Sequence, residues 1–349
     1  MHTVVADGSS PADAAAAKPS RVAVAGATGY TGQELLRLLA RHPSVALTAA
    51  MSSGTTAARR LPALARLWPG QITPLSPETL KTADVVCLAL PDAAAAHLGP
   101  ELVDAGVRVI DLSGAFRLTQ ATERARWYPE TRRVPDGTVY GLTEIERDAI
   151  AGARLLANPG CYPTATLLAL APLASAGLLL ANADVVVDAK SGVSGAGKTP
   201  SERTHFSECH GSLAAYGVFA HRHAAEIEQG VTAAGGTCPI TFVPHLVPLD
   251  RGILATMYVR VTPGTPEETL ADVYQRAYAS APFVRLVGSF LPEIKHVAHT
   301  NFCDIGWRVD QTGRAVVVSV IDNLLKGASG QAVQNLNLML GVDERTGLW

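Results

Sequence analysis

One cysteine in the chain stands where a thiol could act as a nucleophile. Cys161 follows the turn-forming tripeptide Asn158-Pro-Gly and precedes Pro163, a residue well suited to the first turn of a helix. We therefore expect Cys161 just ahead of the N-terminus of a helix that runs to about Ala176. There the helix dipole would lower the thiol pKa and make the group largely thiolate near neutral pH.

A cysteine nucleophile usually works with a group that transfers protons, and three histidines are candidates. His221 and His223 lie two residues apart at a predicted turn into a helix, so only one of the two should face the thiol. The sequence leaves both open, with a slight preference for His221. His245 is the third candidate. No carboxylate or thiol with zinc-ligand spacing accompanies the histidine pair, so we expect no metal site.

A glycine-rich turn follows the first apolar run and opens the first helical pattern. Residues 26–32 read Gly-Ala-Thr-Gly-Tyr-Thr-Gly, a variant of the dinucleotide-binding pattern GxGxxG. Glycines let the backbone approach a pyrophosphate, and free amides at the helix start hold its charge. A turn without a ligand is the alternative interpretation. The residues expected on the cofactor here are Gly26, Thr28, Gly29, Tyr30, Thr31 and Gly32.

The segment that should meet the adenosine ribose of the cofactor carries hydroxyls rather than a carboxylate. NAD-selective sites place an acidic residue about 20 residues beyond the glycine turn, near the end of the second strand. This chain has Ser52 and Ser53 there, followed by Arg59 and Arg60. Hydroxyls and a guanidinium suit a 2′-phosphate, so the sequence favours NADP(H). A solvated loop explains the arginine pair equally well.

A second glycine-rich segment matches the phosphate-binding pattern GxxxxGK[ST]. Residues 192–199 read Gly-Val-Ser-Gly-Ala-Gly-Lys-Thr. Taken literally, the pattern predicts a nucleotide triphosphatase, but only where a helix follows the lysine. The residues from Pro200 onward make a poor amphipathic helix. We therefore interpret the segment as a Gly/Ser loop near a phosphorylated substrate.

The order of apolar runs indicates the elements that must hold these groups. Up to about residue 157, strand-like runs alternate with helical patterns, which is typical of a parallel sheet covered on both faces. After Asn158 the runs become longer and richer in β-formers, which predicts a second domain with a mixed sheet, and the segment Gly330 to Leu340 is helical again. The predicted fold class is α/β: a Rossmann-like doubly wound parallel sheet plus an α+β domain with a mixed sheet, for which the family resemblance given below implies catalytic and dimerisation roles.

The predicted domain boundaries follow from these changes of pattern. Residues 1–20 are expected to form a disordered tail, because they show no period that would bury a face. Residues 21–157 together with 328–349 are expected to form the NADP-binding domain, and residues 158–327 the second domain, with the catalytic and oligomerisation roles that the resemblance below implies.

The composition excludes several classes of protein. The 349 residues include 29 basic and 31 acidic side chains and 48% hydrophobic residues, so neither a basic surface for nucleic acid or an anionic membrane nor a disordered chain is expected. The absence of a long apolar stretch and of a signal peptide predicts a cytoplasmic protein. The five scattered cysteines are expected to be free thiols, with Cys87, Cys238 and Cys303 as small core residues.

Six ordered motifs resemble the N-acetyl-gamma-glutamyl-phosphate reductase family, which is related to aspartate-semialdehyde dehydrogenase. The resemblance runs from about Arg21 to the C-terminus. The motifs are the glycine turn, Asp111-Leu-Ser-Gly-Ala-Phe-Arg117-Leu, Asn158-Pro-Gly-Cys-Tyr-Pro-Thr164, Ser191 to Gly197, His221-Arg-His223 and Asp322-Asn-Leu-Leu-Lys-Gly-Ala-Ser-Gly-Gln-Ala-Val-Gln-Asn335.

This resemblance implies a function. It implies NADPH-dependent reduction of an acyl phosphate to an aldehyde through a thioester on Cys161, with His221 and His223 as acid/base candidates and Arg117 on the phosphate leaving group. It also implies a homo-oligomer, dimer or tetramer, that acts on a small molecule in arginine biosynthesis. The further expected cofactor contacts are Leu90, Pro91, Ser191, Gly192 and Asn323; the expected substrate contacts are Arg117, Asn158, Ser194, Gly195, His245 and Arg251.

Three other functions remain open at this point. Aspartate-semialdehyde dehydrogenase is the nearest alternative within the same class of enzyme. A protein that senses NADP(H) without catalysis would keep the glycine turn, but the intact Asn-Pro-Gly-Cys segment argues against it. A cysteine hydrolase would need Cys161 and a histidine, but it would not need the glycine turn.

Overall fold

The first sheet of the protein has seven parallel strands in the order β3-β2-β1-β4-β5-β7-β6. The computed structural model describes residues 18–52, 54 and 57–349. Central strands such as β4 are apolar and buried along their whole length, as expected of strands covered on both faces. The strands are β1 (Ser20–Ala25), β2 (Val45–Ser52), β3 (Ile72–Pro74), β4 (Val85–Leu88), β5 (Arg108–Asp111), β6 (Val139–Tyr140) and β7 (Leu155–Ala157).

Five helices connect these strands. The first follows the glycine turn, and its apolar side chains Leu35, Leu36 and Leu39 pack into the core beside β1 and β4. This face repeats every three to four residues, which is the period that the sequence predicts for an amphipathic helix. The helices are α1 (Tyr30–Leu39), α2 (Pro77–Leu80), α3 (Asp92–Asp104), α4 (Ala121–Trp127) and α5 (Thr143–Ala151).

The second sheet is mixed, with the order β12-β13-β14-β11-β8-β10-β9. The pairs β8–β10 and β12–β13 are parallel, and the other neighbours run antiparallel. The strands are β8 (Val185–Gly192), β9 (Ala214–Ala215), β10 (Ile240–Val247), β11 (Ile253–Arg260), β12 (Val284–Gly288), β13 (Cys303–Val309) and β14 (Arg314–Ile321).

A long apolar helix fills the core of the second domain. It is buried around almost its whole circumference, because its sequence offers no polar face. It packs against the second sheet and against two neighbouring helices, so its N-terminus is held firmly. The helices of this domain are α6 (Cys161–Ser175), α7 (Phe206–Cys209), α8 (His223–Ala233) and α9 (Glu267–Tyr278).

The chain then returns to the first domain through a π-helical turn, Leu325–Ser329, and a final helix, α10 (Gly330–Leu340). Val333 and Leu336 of α10 join the apolar core that also contains Val22 of β1. The helix carries buried amides as well, and most of their polar atoms find partners: Asn335 Nδ2, for example, donates to the carbonyl of Gly141 at 2.8 Å. Such pairing is required of buried polar groups.

The predicted fold class is confirmed, since a Rossmann-like parallel sheet and a second mixed sheet are both present. Residues 1–17 of the predicted tail lie outside the described residues, and Ser20, its last residue, opens β1. Short strands such as β3, β6 and β9 carry no readable sequence period and were not predicted. Within the described part of the chain, no helix is long and apolar enough to cross a membrane.

Candidate active site

A cavity of about 310 Å³ lies where the carboxyl ends of the first sheet meet the second domain. Parallel α/β sheets bind ligands at this edge, because the loops after the strands converge there. Loops that follow β1, β4, β5 and β7 all contribute. The lining includes Gly29, Tyr30, Thr31, Gly32, Leu90, Pro91, Asp92, Arg117, Gly160, Cys161, Ser194, Gly195, Lys198, Arg222, His223, Asn323 and Gly327.

The glycine turn fits a dinucleotide, and two of its glycines have no room for a side chain. Gly26 has a φ of +90°, and a Cβ there would lie 2.0 Å from the carbonyl oxygen of Ala89. A Cβ on Gly32 would lie 2.2 Å from the carbonyl oxygen of Gly26. Gly29 caps α1, whose first amides are free to bind an anion. The loop can therefore hold a pyrophosphate against the start of the helix.

The end of β2 carries a buried hydroxyl and no carboxylate. Ser52 is buried, and its Oγ makes no hydrogen bond within the described structure. Arg59 is exposed and pairs through its backbone with Ile72 of β3, the strand next to β2. Ser53 lies outside the described residues. The buried hydroxyl of Ser52 thus stands near the position where NAD-selective sites carry a carboxylate, and the backbone of Arg59 lies beyond the intervening strand β3.

Cys161 is the first residue of α6 and contributes its side chain to the cavity wall. A Cβ on Gly327 would lie 2.8 Å from Cys161 Cβ, so that glycine gives the thiol space. Burial raises the pKa of Cys161, and the charge of Arg117 offsets this only in part. The predicted lowering of the thiol pKa is therefore wrong, because the helix end is buried and desolvation of the thiolate outweighs the dipole.

We expect the ligand-free protein to show this raised pKa in its alkylation rate. The Cys161 thiol stays protonated to higher pH than an ordinary thiol, so its reaction with iodoacetamide should keep accelerating above pH about 8.5. Peptide mass spectrometry across a pH series gives the rate at each cysteine separately, and a short cysteine peptide in the same tube serves as reference. If the rate at Cys161 reached its plateau at a lower pH than the rate of the reference peptide, that result would contradict a raised pKa.

The two histidines of the His-Arg-His segment occupy different environments, as the sequence predicts. His223 begins α8 and lines the cavity, whereas His221 does not line it. The Nδ1 atom of His221 accepts the backbone N–H of His223 at 3.1 Å, and its ring packs edge-on against Tyr162 and Phe242. The slight preference for His221 therefore has no geometric support, and His223 is the histidine that can reach a ligand.

Both imidazoles are neutral near pH 7 in this arrangement. Burial and the charge of Arg222 lower the pKa of His221 to about 4. Burial lowers the pKa of His223 well below 6.5, and His221 and Arg117 add to the effect. Arg117 Nη1 lies 3.4 Å from His223 Nε2, and because an arginine only donates, this nitrogen carries a lone pair. His223 is thus a neutral base that can accept a proton.

Glu226 holds the turn that precedes the nucleophile, and the sequence analysis did not identify it. Its Oε1 accepts the backbone N–H of Gly160 at 2.9 Å and the hydroxyl of Tyr140 at 2.8 Å. Its Oε2 lies 3.4 Å from Arg117 Nη1. The signal available in the sequence is the spacing from His223, since residues three apart share a helix face.

Arg117 is largely occupied by the protein itself. Its Nε donates to the carbonyl of Asn158 at 2.8 Å, and its Nη2 donates to the carbonyl of Leu112 at 2.9 Å. The remaining Nη1 faces Glu226 and His223 at 3.4 Å each. The guanidinium therefore fixes the nucleophile turn, and only one edge of it is left for a ligand. A bidentate phosphate fork is not available in this geometry.

Three residues expected at the substrate, Asn158, His245 and Arg251, do not line the cavity. Asn158 is buried, with its Nδ2 on the carbonyl of Ala328 at 3.2 Å and its Oδ1 on Asn335 Nδ2 at 3.1 Å. His245 lies on β10, with its Nδ1 3.2 Å from Asp188 Oδ1. The polar groups of Asn158 thus connect the nucleophile turn to α10, and His245 belongs to the second sheet.

Asn323 reaches the cavity, but the oxygen and the nitrogen of its side-chain amide each already have a hydrogen-bond partner. Its Oδ1 accepts the backbone N–H of Gly252 at 2.8 Å, and its Nδ2 donates to Ser194 Oγ at 3.0 Å. One amide hydrogen remains for a nicotinamide. Arg251 lies beside this group and pairs with Glu34 of α1, which links the two domains.

The Gly/Ser loop forms one wall of the cavity and is not a nucleotide-triphosphatase loop. Ser191 and Gly192 end β8 outside the cavity lining, with Ser191 Oγ on the carbonyl of Gly192 at 3.1 Å. A short 3-10 turn, Val193–Ala196, follows and places Ser194 in the lining. In the described residues no α-helix starts at the lysine, so the structural requirement of the GxxxxGK[ST] pattern is not met.

Comparison with known proteins agrees with this arrangement of domains. Residues 21–153 match the family model "Semialdehyde dehydrogenase, NAD binding domain", and residues 161–323 match "Semialdehyde dehydrogenase, dimerisation domain". An aspartate semialdehyde dehydrogenase II from Vibrio cholerae, solved in complex with ASA, superposes with a TM-score of 0.71 over 93% of this chain and 99% of that one. At 18% identity this similarity concerns the fold alone.

Curated relatives are much closer in sequence. The N-acetyl-gamma-glutamyl-phosphate reductase of Geobacillus stearothermophilus is 47% identical over 94% of this chain and 97% of its own. That of Halorhodospira halophila is 48% identical over the same shares. This identity extends over nearly the whole length of the chain. The chain therefore belongs to the N-acetyl-gamma-glutamyl-phosphate reductase family of semialdehyde dehydrogenases, which are nicotinamide-dependent oxidoreductases.

Proposed function

We propose that the protein reduces N-acetyl-gamma-glutamyl phosphate to N-acetylglutamate 5-semialdehyde and phosphate, as part of arginine biosynthesis. One observation carries the proposal: a single cavity combines Cys161, His223 and the glycine turn in a chain of this family. A nucleophile, a neutral base and a dinucleotide cradle are the parts that reduction of an acyl phosphate requires.

In the first step the sulfur of Cys161 attacks the acyl carbon. The bond between that carbon and the phosphate oxygen breaks, phosphate leaves with the electron pair, and a thioester forms on Cys161. Because burial raises the pKa of the thiol, the proton has to leave as the attack occurs. His223 is neutral and lines the same cavity, so it is the group proposed to take that proton.

In the second step the thioester becomes the aldehyde. The reduced nicotinamide, when bound, supplies the hydride that the acyl carbon needs. His223, now protonated, can return its proton to the sulfur as the carbon–sulfur bond breaks, which restores the thiol of Cys161. Glu226 and Arg117 keep the turn at Gly160 in place throughout, because both bind it through hydrogen bonds or close contacts.

We further propose that NADP(H) is preferred over NAD(H). Within the described residues, Ser52 provides a buried hydroxyl without a hydrogen-bond partner at the end of β2, and Arg59 lies beyond the neighbouring strand β3. Neither group repels a 2′-phosphate, whereas a carboxylate at this position would. The choice of N-acetylglutamate over aspartate is supported by the sequence identity to the curated relatives.

The reaction can be tested in the direction of oxidation. With N-acetylglutamate 5-semialdehyde, phosphate and NADP+, we expect absorbance to grow at the reduced-nicotinamide band. Replacing NADP+ by NAD+ should lower kcat/KM by about tenfold or more, and replacing the substrate by aspartate semialdehyde by about 100-fold or more. Efficient turnover of aspartate semialdehyde would instead identify the protein as an aspartate-semialdehyde dehydrogenase. Absence of any signal with the purified protein would remove the proposed reaction.

A further inference from the structure

Lys198 is the lysine of the GxxxxGK[ST] segment, and it lies on the glycine turn of the other domain. Its Nζ donates to the carbonyl oxygen of Thr28 at 3.0 Å and stands 5.3 Å from the centre of the Tyr30 ring. Thr28 and Tyr30 flank Gly29, the residue that caps α1. A cation from the second domain is thus placed at the N-terminus of α1 in the first.

The loop before Lys198 is anchored rather than free. The backbone N–H of Val193 donates to the carbonyl of Leu249 at 2.8 Å, and that of Ser194 donates to the carbonyl of Asp250 at 3.1 Å. Gly197 then turns the chain with a φ of +82°, a conformation that suits glycine. The fold therefore directs Lys198 toward the glycine turn.

Lys198 differs from the two arginines of the cavity because its charge is not paired with a carboxylate of the described residues. Arg117 faces Glu226, and Arg222 pairs with Asp92. The partners of Lys198 are a carbonyl oxygen and an aromatic ring, and no carboxylate of the described residues lies within 4.0 Å of its Nζ. Its charge is therefore not neutralised by the protein, and an anion in the cavity can pair with it.

We propose that Lys198 binds the pyrophosphate of the dinucleotide, so that both domains hold the cofactor. This proposal rests on the proposed function, in which a dinucleotide binds at the glycine turn before α1. Those amides would bind one side of the pyrophosphate. On the other side, the ammonium of Lys198 exchanges its neutral partner, the carbonyl of Thr28, for phosphate oxygens. A charged acceptor makes the stronger hydrogen bond, so the exchange favours binding.

The contacts of Lys198 favour the cofactor over the acyl phosphate as its partner. Both of its partners, Thr28 and Tyr30, belong to the glycine turn, whereas the reacting phosphate must leave from the carbon attacked by Cys161. The lysine thus serves the phosphate-binding role that its sequence pattern suggests, but on a dinucleotide and without a helix after it.

The test is a binding titration that needs no turnover. NADPH is titrated with the Lys198→Met variant, and binding is followed by NADPH fluorescence. We expect a Kd about tenfold higher than that of the wild type, which corresponds to about 1.4 kcal/mol of binding free energy. The Kd of the variant should also depend less on salt concentration than the Kd of the wild type. Lys198→Arg keeps the charge and should restore most of the affinity. Lys295→Met is the matched control, since Lys295 is an exposed lysine of the same domain that pairs with Glu293; its Kd should equal that of the wild type.

A second ligand identifies the phosphate that Lys198 binds. Adenosine 2′-monophosphate lacks the pyrophosphate, so its affinity should be the same in wild type and Lys198→Met. An unchanged Kd for NADPH would overturn the proposal, and so would an equal loss of affinity for adenosine 2′-monophosphate. A raised KM for phosphate with unchanged NADPH binding would assign Lys198 to the substrate instead. If the wild type binds NADPH but does not reduce the acyl phosphate, the proposed reaction is refuted. The NADPH titration would still test the assignment of Lys198.

Discussion

Replacing Cys161 with serine should remove turnover, by a factor on the order of 10⁴ or more. A serine hydroxyl at this position has no strong base that would ionise it, and its oxygen is a far weaker nucleophile than sulfur. The glycine turn follows β1, whereas Cys161 follows β7, so the substitution should leave the cofactor-binding turn unchanged. The Kd for NADPH should therefore stay within about twofold of the wild-type value.

Cys209→Ser is the control for this experiment. Cys209 ends α7, and its sulfur makes only weak contacts, with the carbonyl of Thr204 at 4.0 Å and the carbonyl of Phe206 at 3.8 Å. We expect this variant to be as active as the wild type. Mass spectrometry of wild-type protein mixed with the acyl phosphate in the absence of NADPH should find the acyl group on the peptide that contains Cys161. Wild-type activity in Cys161→Ser would refute the thioester mechanism.

Gly160→Ala should be the second most damaging change, although it adds only a methyl group. A Cβ at this position would lie 2.5 Å from His223 Nε2 and 2.8 Å from Arg117 Nη1. The overlap forces the base away from the nucleophile turn, and overpacking of this kind costs about 1–3 kcal/mol of stability. Displacement of a catalytic group by about 1 Å can lower kcat about 100-fold, and we expect at least that loss.

Gly152→Ala is the matched control. Gly152 follows α5 with a φ of −91°, and no atom lies within 4 Å of the position of its Cβ. This variant should keep both its thermal stability and its kcat. Thermal unfolding and steady-state kinetics on the two variants separate the effects. A Gly160→Ala enzyme with the kcat of the wild type would show that His223 does not act from its observed position.

The parts of the fold that depend on local sequence were predictable. The glycine turn, the helix after it and the strand Arg314–Ile321 each carry a complete pattern of apolar residues or glycines within a short window. Short edge strands such as β6 and β9 have two residues each and carry no period. The pairing of these short strands depends on the neighbouring strands of the sheet. A two-residue sequence pattern carries no information about those neighbours.

The site was predictable where one residue and its neighbours determine the geometry. Cys161 lies at a helix start because the Asn-Pro-Gly turn puts it there, and that expectation agrees with α6 beginning at this residue. The sign of its pKa shift depends instead on burial by distant segments, and the helix dipole alone gave the wrong direction. Glu226 and Tyr140 meet at Gly160 from sites far apart in the chain, so the sequence offered no direct signal for this contact.

The position of α10 has a consequence for the order in which the protein forms during its synthesis. Domains at the N-terminus usually fold first as the chain emerges from the ribosome. Here Val333 and Leu336 complete the core around Val22, and Asn335 supplies an amide to the nucleophile turn. The dinucleotide-binding unit therefore stays incomplete until the second domain and α10 have both been synthesised. The second domain, whose elements are contiguous in the chain, is the part that can become native first.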